Sequence, residues 1–446
     1  MSQWKKVRIG DFLVEREGRY KPDDIFIAKY QRLDKIDFSG AIHLSNKPTK
    51  TDMILVYPGD LVLSGINVSK GAITVYQGKE PVCATIHYSA YTFDDSKVNL
   101  DYFKFFVKSP AFVETLKQQV KGGIKTEIKP KHLLPLEIAI PELSVQKQIV
   151  KTLSAKLANA ENLALEIEKQ KAYTKLLLQN ILLDAIEGKL TVDWRKSHPV
   201  IKCNPDYDSE TLFEKIQEEK DFDKKQKKLP PITEEEKPFE IPEEWKWVRL
   251  GEVAEIIGGY AFNSYDLKET GDNFVLRLGN IRDNQIRYDA KPAFISNSLI
   301  DNLDDYKTIE NDILLTMTGT RGKKDYLYSV KIKKEHQDKC SMFVNQRVCI
   351  IRPLGYVDFI LNCLHSEPIK EPIFDSATGS ANQANIGIKA LNDWVLPFPP
   401  LKEQEEIVNI IESLLAKVIE LENQIQERKT LSEKLAFGII KEKLEG

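Results

Sequence analysis

Apolar residues in two distant stretches of the chain recur every three or four positions. In the first they fall at Val150, Leu153, Leu157, Ala160, Leu163 and Ile167; in the second at Val408, Ile411, Leu415, Val418, Leu421 and Ile425. Charged residues fill the gaps. This spacing keeps one helix face apolar and predicts an amphipathic helix or coiled-coil strand in each stretch. Nothing stops the first between residues 144 and 186, a span free of proline and glycine. A helix of that length is roughly 60 Å long at ~1.5 Å per residue. A small domain cannot bury so long a stripe alone, so the expected partner is the matching stripe, paired antiparallel, or a helix of another subunit. Two separate helices, each packed on its own domain, remain the alternative.

Elsewhere the pattern shortens. "MILVYPGDLVLSG", "AITVYQG" and "DNFVLRLGNIRDNQIRY" are β-branched and aromatic runs broken by glycine, asparagine or proline, as strands and turns are. "NLDYFKFFVKSPAFVETLKQQV" and "YVDFILNCLHSEPIKEPIF" read as short helices. Each half therefore predicts a mixed α+β domain followed by a long helix.

The halves are copies. Residues 141–188 slide onto 399–446 without a gap and give 14 identities in 48, where chance would give about three. Among them are Pro141, Leu143, Gln146, Ile149 and Val150, each recurring 258 positions later. "WKKVRIGDF" from Trp4 matches "WKWVRLGEV" from Trp245 at an offset of 241, and "PGDLVLSG" at 58–65 resembles "ENDILLTM" at 310–317 at an offset of 252. The drift marks loops that differ in length between fixed elements. Between the halves, residues 218–245 are charged, proline-rich and short of aliphatics, as an exposed connector should be. The predicted layout is a first domain at 1–143, a helix at 144–194, a connector at 195–244, a second domain at 245–401 and a helix at 402–446.

Composition adds limits. The 446 residues are 42% apolar and 29% charged, and no stretch approaches the ~18 uncharged apolar residues of a bilayer span. "MSQWKKVRIGDF" lacks the apolar core of a signal peptide, so a mature, cytoplasmic chain with no membrane partner is expected. Five scattered cysteines form no CxxC pair, which favours free thiols over structural zinc. The net charge of −3 does not advertise a nucleic-acid binder. The halves differ, however: residues 1–130 hold 20 Lys and Arg against 15 Asp and Glu, while 240–390 hold 19 against 22.

Signatures of common catalysts are missing. No GxGxxG follows a strand, no G-x-S-x-G appears, and "GTRGKKD" at 319–325 lacks the glycine spacing and Ser/Thr of a P-loop. "FPPL" at 398–401 lacks the polar residue of an amino-methyltransferase tetrapeptide. Glu127-Ile128-Lys129 has the E-x-K form of a metal-dependent phosphodiesterase but no well-spaced Pro-Asp upstream. No catalytic, cofactor-binding or metal-ligating residue is assigned.

What remains looks like nucleic-acid contact. "LKQQVKGGIKTEIKPKHL" sets Lys121, Lys125 and Lys129 around Gly122 and Gly123, where backbone can approach a phosphate and each lysine can displace a counterion. The corresponding stretch of the second half, "SATGSANQANIGIK", offers Thr378, Ser380, Asn382, Gln383 and Asn385, whose hydroxyls and amides suit base edges or phosphates. "TMTGTRGKK" adds Thr316, Thr318, Arg321, Lys323 and Lys324, and its analogue "SGINVSKG" adds Ser64, Asn67 and Lys70. Solvated surface loops with no partner are the alternative for all four.

Paired variable domains, each followed by a P-x-L-x-x-Q-x-x-I-V helix, resemble the specificity subunit of Type I restriction–modification systems. The connector ending "FEIPEEWKWVRLGEV" and the Thr378-Gly379-Ser380 loop are similar to that family as well. The resemblance implies an α+β chain with two target recognition domains, separated by two long helices that form an antiparallel coiled-coil spacer. It implies a non-catalytic subunit that reads a bipartite site in double-stranded DNA. Such a subunit directs modification (M) subunits, which use S-adenosylmethionine to methylate adenine, and restriction (R) subunits, which use ATP and Mg. No cofactor is expected in this chain itself. A coiled-coil scaffold with no DNA role is the competing expectation.

Overall fold

The computed structural model describes residues 4–119, 127–221, 229–380 and 382–444. It divides into two compact units, residues 1–170 with 425–446 and residues 171–424.

The first unit is built on two four-stranded sheets. One runs in the order Leu13–Glu15, Tyr88–Phe93, Leu61–Ser64, Ile73–Val75, and the other in the order Ile42–Ser45, Arg32–Ile36, Val82–Thr85, Met53–Val56. The second unit repeats this plan. Ala254–Gly258, Val348–Pro353, Ile313–Thr316 and Ser329–Lys331 form a sheet in the same order, and Asn273–Leu276 pairs in parallel with Ser341–Val344 as Arg32–Ile36 pairs with Val82–Thr85. Each unit also joins its first strand to the strand before its long helix, Lys5–Arg8 to Glu137–Ile140 and Lys246–Arg249 to Val395–Phe398, both antiparallel. The mixed α/β class read from the sequence is the class observed.

Two repeated motifs acquire physical reasons. The "PGD" and "END" turns place Asp60 and Asp312 at the foot of the central strand, 1% and 0% exposed. Asp60 accepts the Tyr57 N–H at 2.9 Å and pairs with Arg16 at 2.9 Å; Asp312 accepts the Ile309 N–H at 2.8 Å and pairs with Arg352 at 2.8 Å. The residue before each, Gly59 or Asn311, turns with positive φ of 89° or 72°. The shared helix start also has a cause. Gln146 and Gln404 are buried, and each donates its amide to the carbonyl of the proline five residues earlier, Pro141 or Pro399, at 2.8 Å. Gln146 Oε1 further accepts the backbone N–H of Asn99 at 2.8 Å, and Asn99 caps the Leu100–Phe106 helix.

The two apolar stripes form helices Leu143–Ile186 and Leu401–Leu444, 44 residues each. The first ends short of the expected residue 194, because Gly188 takes φ +71° and a Cβ there would meet Pro242 at 2.6 Å. A new helix, Val192–Ser197, follows. The stripes serve two kinds of partner. Leu153 enters the core of the first unit's own domain, with Ile149 and Val150 packed beside it. Ile167 and Ile425 are buried further along, where Lys429 pairs with Glu168 at 3.0 Å and Arg428 donates to Gln170 at 3.3 Å. In the second unit, Ile181, Leu182, Ala185 and Ile186 share a core with Ile407, Val408, Ile411 and Val418. Leu157 and Leu415 are half-buried. Leu163 and Leu421, expected in the stripe, are instead 42% and 43% exposed.

The connector is not merely an exposed tether. Its helix Ser209–Asp221 sends Leu212 and Ile216 into the core of the second unit, an i, i+4 pair legible in "LFEKI" once the charged neighbours are discounted. Glu403, 1% exposed, accepts from Thr191 Oγ1 at 2.7 Å, Arg195 Nη1 at 2.6 Å and Trp245 Nε1 at 2.8 Å. Among the described residues no helix is long and apolar enough to cross a membrane, no cluster of metal-ligating side chains occurs and the cysteines are unpaired.

Replacing Gln146 by Leu leaves a carbonyl and an N–H unpaired and should lower the unfolding free energy by about 1–3 kcal/mol in denaturant titration. Gln404→Leu should cost less, since among the described residues only the amide nitrogen of Gln404 is engaged. Asp312→Ala should cost about 2–3 kcal/mol in the same measurement, because Arg352 loses its buried acceptor.

Candidate nucleic-acid interface

The tip of each central strand holds the candidate loops. In the second unit, Ile313–Thr316 runs into the 317–324 loop, and residues 376–380 and 382–387 fold back on it. Thr318 and Gly319 pair antiparallel with Asn385 and Ala384, and the Ile386 N–H donates to the Met317 carbonyl at 2.8 Å. Two segments singled out far apart in the sequence are thus one surface feature. Thr318 Oγ1 donates to Asn385 Oδ1 at 3.1 Å, and Thr378 exchanges backbone hydrogen bonds with Asn385 at 3.0 and 2.9 Å. Gly379 sits at φ +106°, where a Cβ would meet the Gln383 carbonyl at 2.4 Å, so the tight turn requires glycine. Arg321 Nη2 donates to the Ala377 carbonyl at 2.6 Å and locks the second contact between the loops.

The structure sorts the predicted residues of this unit. Arg321, Lys323, Thr378, Ser380, Asn382 and Gln383 are exposed on the loop pair, and Asn385 is half-buried as its hub. Thr316 is buried, and its hydroxyl accepts the Tyr328 N–H at 2.9 Å, so it belongs to the fold rather than to a contact surface. Thr318 is buried too, its hydroxyl spent on Asn385 Oδ1. Lys324 is exposed but paired with Glu371 at 2.5 Å, and that hydrogen bond holds its ammonium pKa above the ordinary lysine range. Its charge is largely compensated on the spot. Sequence reading missed Asp325, which accepts the Thr320 N–H and fixes the loop; an aspartate closing a glycine-containing turn was the available signal.

The first unit shares one bond of this device among its described residues. The Ile128 N–H donates to the Gly65 carbonyl at 2.8 Å, the counterpart of the Ile386–Met317 bond, and brings the 64–71 loop against residues 127–129. Here Ser64 is buried and Asn67 half-buried at the start of the Val68–Lys70 turn, while Lys70 and Lys129 are exposed. Lys70 lies 5.8 Å from the Phe38 ring centroid, and Lys129 lies 3.9 Å from Glu127. Lys121, Gly122, Gly123 and Lys125 lie outside the described residues. One backbone bond of the loop pair, Ile128 to Gly65 and Ile386 to Met317, recurs in both units, while the described side chains around it differ. Loops so joined can present different donors and acceptors to different partners; no described cluster around them could hold a metal.

Known proteins share this plan. A model of the family "Type I restriction modification DNA specificity domain" matches residues 1–171 and 242–428. The specificity subunit of Type I restriction enzyme EcoAI from Escherichia coli is 27% identical over 323 residues, covering 68% of this chain and 52% of that protein. The MjaVIII specificity subunit from Methanocaldococcus jannaschii is 22% identical over 448 residues, covering 98% of this chain and 92% of its own length. The chain spans about half the length of the first curated relatives it matches. Among solved structures, a chain from a study of complex assembly and conformational transition of the type I R-M system superposes with TM-score 0.63 at 15% identity, covering 100% of this chain and 98% of that one. The HsdS subunit from Thermoanaerobacter tengcongensis gives 0.54 at 16% identity, covering 100% and 97%. Two copies of one domain plan, each with the same backbone bond closing its loop pair and the same buried-glutamine helix start, and a family match over both copies, place this chain among the Type I restriction–modification DNA specificity proteins.

Proposed function

We propose that this chain is the non-catalytic specificity subunit of a Type I restriction–modification complex and reads a bipartite site in double-stranded DNA. Each unit recognises one half-site through its loop pair, and the bases between the half-sites go unread. The observation that carries this reading is the backbone bond common to the two loop pairs, Ile128 to Gly65 and Ile386 to Met317, with different polar side chains around it. A scaffold would have no reason to keep the bond and vary the polar groups around it, whereas two readers of different half-sites would.

In this reading Arg321 and Lys323 of one unit, and Lys70 and Lys129 of the other, neutralise phosphates. The amides of Asn382 and Gln383 are the natural readers of base edges, since an amide can donate and accept in one plane. Partner modification and restriction subunits in the cytoplasm supply S-adenosylmethionine, ATP and Mg chemistry, which this chain directs to the site. The long helices act as the spacer: a 44-residue helix is about 66 Å long at ~1.5 Å per residue, the length of roughly two duplex turns.

Binding of the chain, with its modification partner, to duplex DNA should weaken with salt, and Arg321→Ala with Lys323→Ala should reduce the log–log slope by about 2. A slope near zero in the unmodified complex would establish the scaffold reading instead. A heptad inserted into each long helix should widen the unread gap while leaving both half-sites unchanged, as mapped by methylome sequencing of the variant. Altered half-sites with an unchanged gap would defeat the spacer.

A further inference from the structure

The residue at which each loop pair closes also holds a third segment. In the second unit the Met317 N–H donates to the Arg347 carbonyl at 3.0 Å, and in the first the Gly65 N–H donates to the His87 carbonyl at 2.9 Å. Both acceptors end a two-residue turn, Gln346–Arg347 before the Val348–Pro353 strand and Ile86–His87 before the Tyr88–Phe93 strand. Strand register makes the two counterparts, since Thr316 lies opposite Val348 as Ser64 lies opposite Tyr88. A Cβ at Gly65 would come within 2.8 Å of the Ile128 carbonyl and 3.3 Å of the His87 carbonyl, so the segments meet closely there. Arg347 therefore belongs to the candidate interface, although "VNQRV" has neither the glycines nor the lysines that mark the other loops.

The surroundings of the two counterparts differ in one telling exchange. His87 is exposed, and its Nδ1 lies 3.1 Å from Glu127 Oε1. Glu127 directly precedes Ile128, and the residue that directly precedes Ile386 is Asn385, an uncharged amide whose Oδ1 already accepts from Thr318. The carboxylate beside the first unit's turn is thus missing beside the second's. Arg347 is exposed, and among the described residues its guanidinium has no hydrogen-bond or ion-pair partner. The other cations of this interface are less open. Arg321 is tied to the Ala377 carbonyl, Lys324 is paired with Glu371, and Lys323 is an ammonium without a fixed fork of donors.

We infer that Arg347 reads a guanine in the half-site of the second unit, its guanidinium donating to N7 and O6 in the major groove. Guanine sets those two acceptors side by side, and a planar fork of donors matches them, which an amide or an ammonium does less well. The turn that carries Arg347 is anchored through backbone to the closure of the loop pair, so the guanidinium starts from a fixed point. The inference rests on the reading of the loop pairs as DNA contacts and adds a residue from a third segment to that interface.

Methylome sequencing of the complex carrying Arg347→Ala, beside the parent complex, tests this. One specified G·C pair should relax to any base, with the rest of that half-site, the other half-site and the gap unchanged. A duplex of the mapped site with that pair exchanged should bind the parent on the order of 10- to 100-fold more weakly than the site itself, while the variant binds both alike. A base contact neutralises no phosphate, so the log–log salt slope of the variant should equal the parent's. Arg347 is exposed, so the variant should also melt at the parent's temperature. An unchanged motif overturns the inference, and so does a slope smaller by about 1 with discrimination intact, which would make Arg347 a phosphate contact. Either result leaves the reading of the loop pairs standing if the parent methylates a defined bipartite site. A parent that methylates no defined site defeats that reading and this inference together.

Discussion

A carboxylate shut away from water stands at the foot of the central strand in each unit. Asp60 and Asp312 have exchanged hydration for one backbone N–H and one arginine each, and a buried charge tolerates little change in such a partnership. The consequence is positional. The strand cannot slip in register without stranding the carboxylate, so the residues at its other end, Gly65 and Met317, are fixed as well. Those two carbonyls receive the Ile128 and Ile386 N–H groups that close the loop pairs. These two closures are backbone to backbone, so they survive changes in the side chains the loops carry.

The same economy holds at the helix starts. A glutamine that returns to the carbonyl of its own proline satisfies an acceptor that the chain's turn into helix would otherwise leave buried and unpaired. Gln146 does more than Gln404, since it also holds the Asn99 N–H and so ties the long helix to the cap of another. The same motif therefore performs unequal tasks in the two units. Glu403 widens the difference: it gathers Thr191, Arg195 and Trp245, which joins the connector to the second unit's first strand and helix start, whereas Val145 at the matching position of the first unit is exposed.

Much was legible in the sequence because it depends on short-range periodicity and on duplication. Steps of three and four wrote the long helices, β-branched runs wrote the strands, and the recurrence 258 residues apart revealed two copies of one plan. Loops rich in glycine, lysine and small polar residues were likewise visible as candidate contacts. The chain by itself also excluded the common catalytic motifs.

Only the tertiary structure could decide which of those candidates face outward. Thr316 and Ser64 read as loop residues but end strands whose last side chains turn inward, and Lys324 reads as a free cation but meets Glu371, 47 residues away. Leu163 and Leu421 satisfy the helical period yet lie outside the packed face, because a stripe names a helix side and not the partner available along its length. Arg8 and Arg249 carry the point furthest. They end matching strands, yet Arg8 is exposed while Arg249 is buried and donates to the Pro230 and Pro231 carbonyls, because burial is settled by whatever segment the fold brings across the strand.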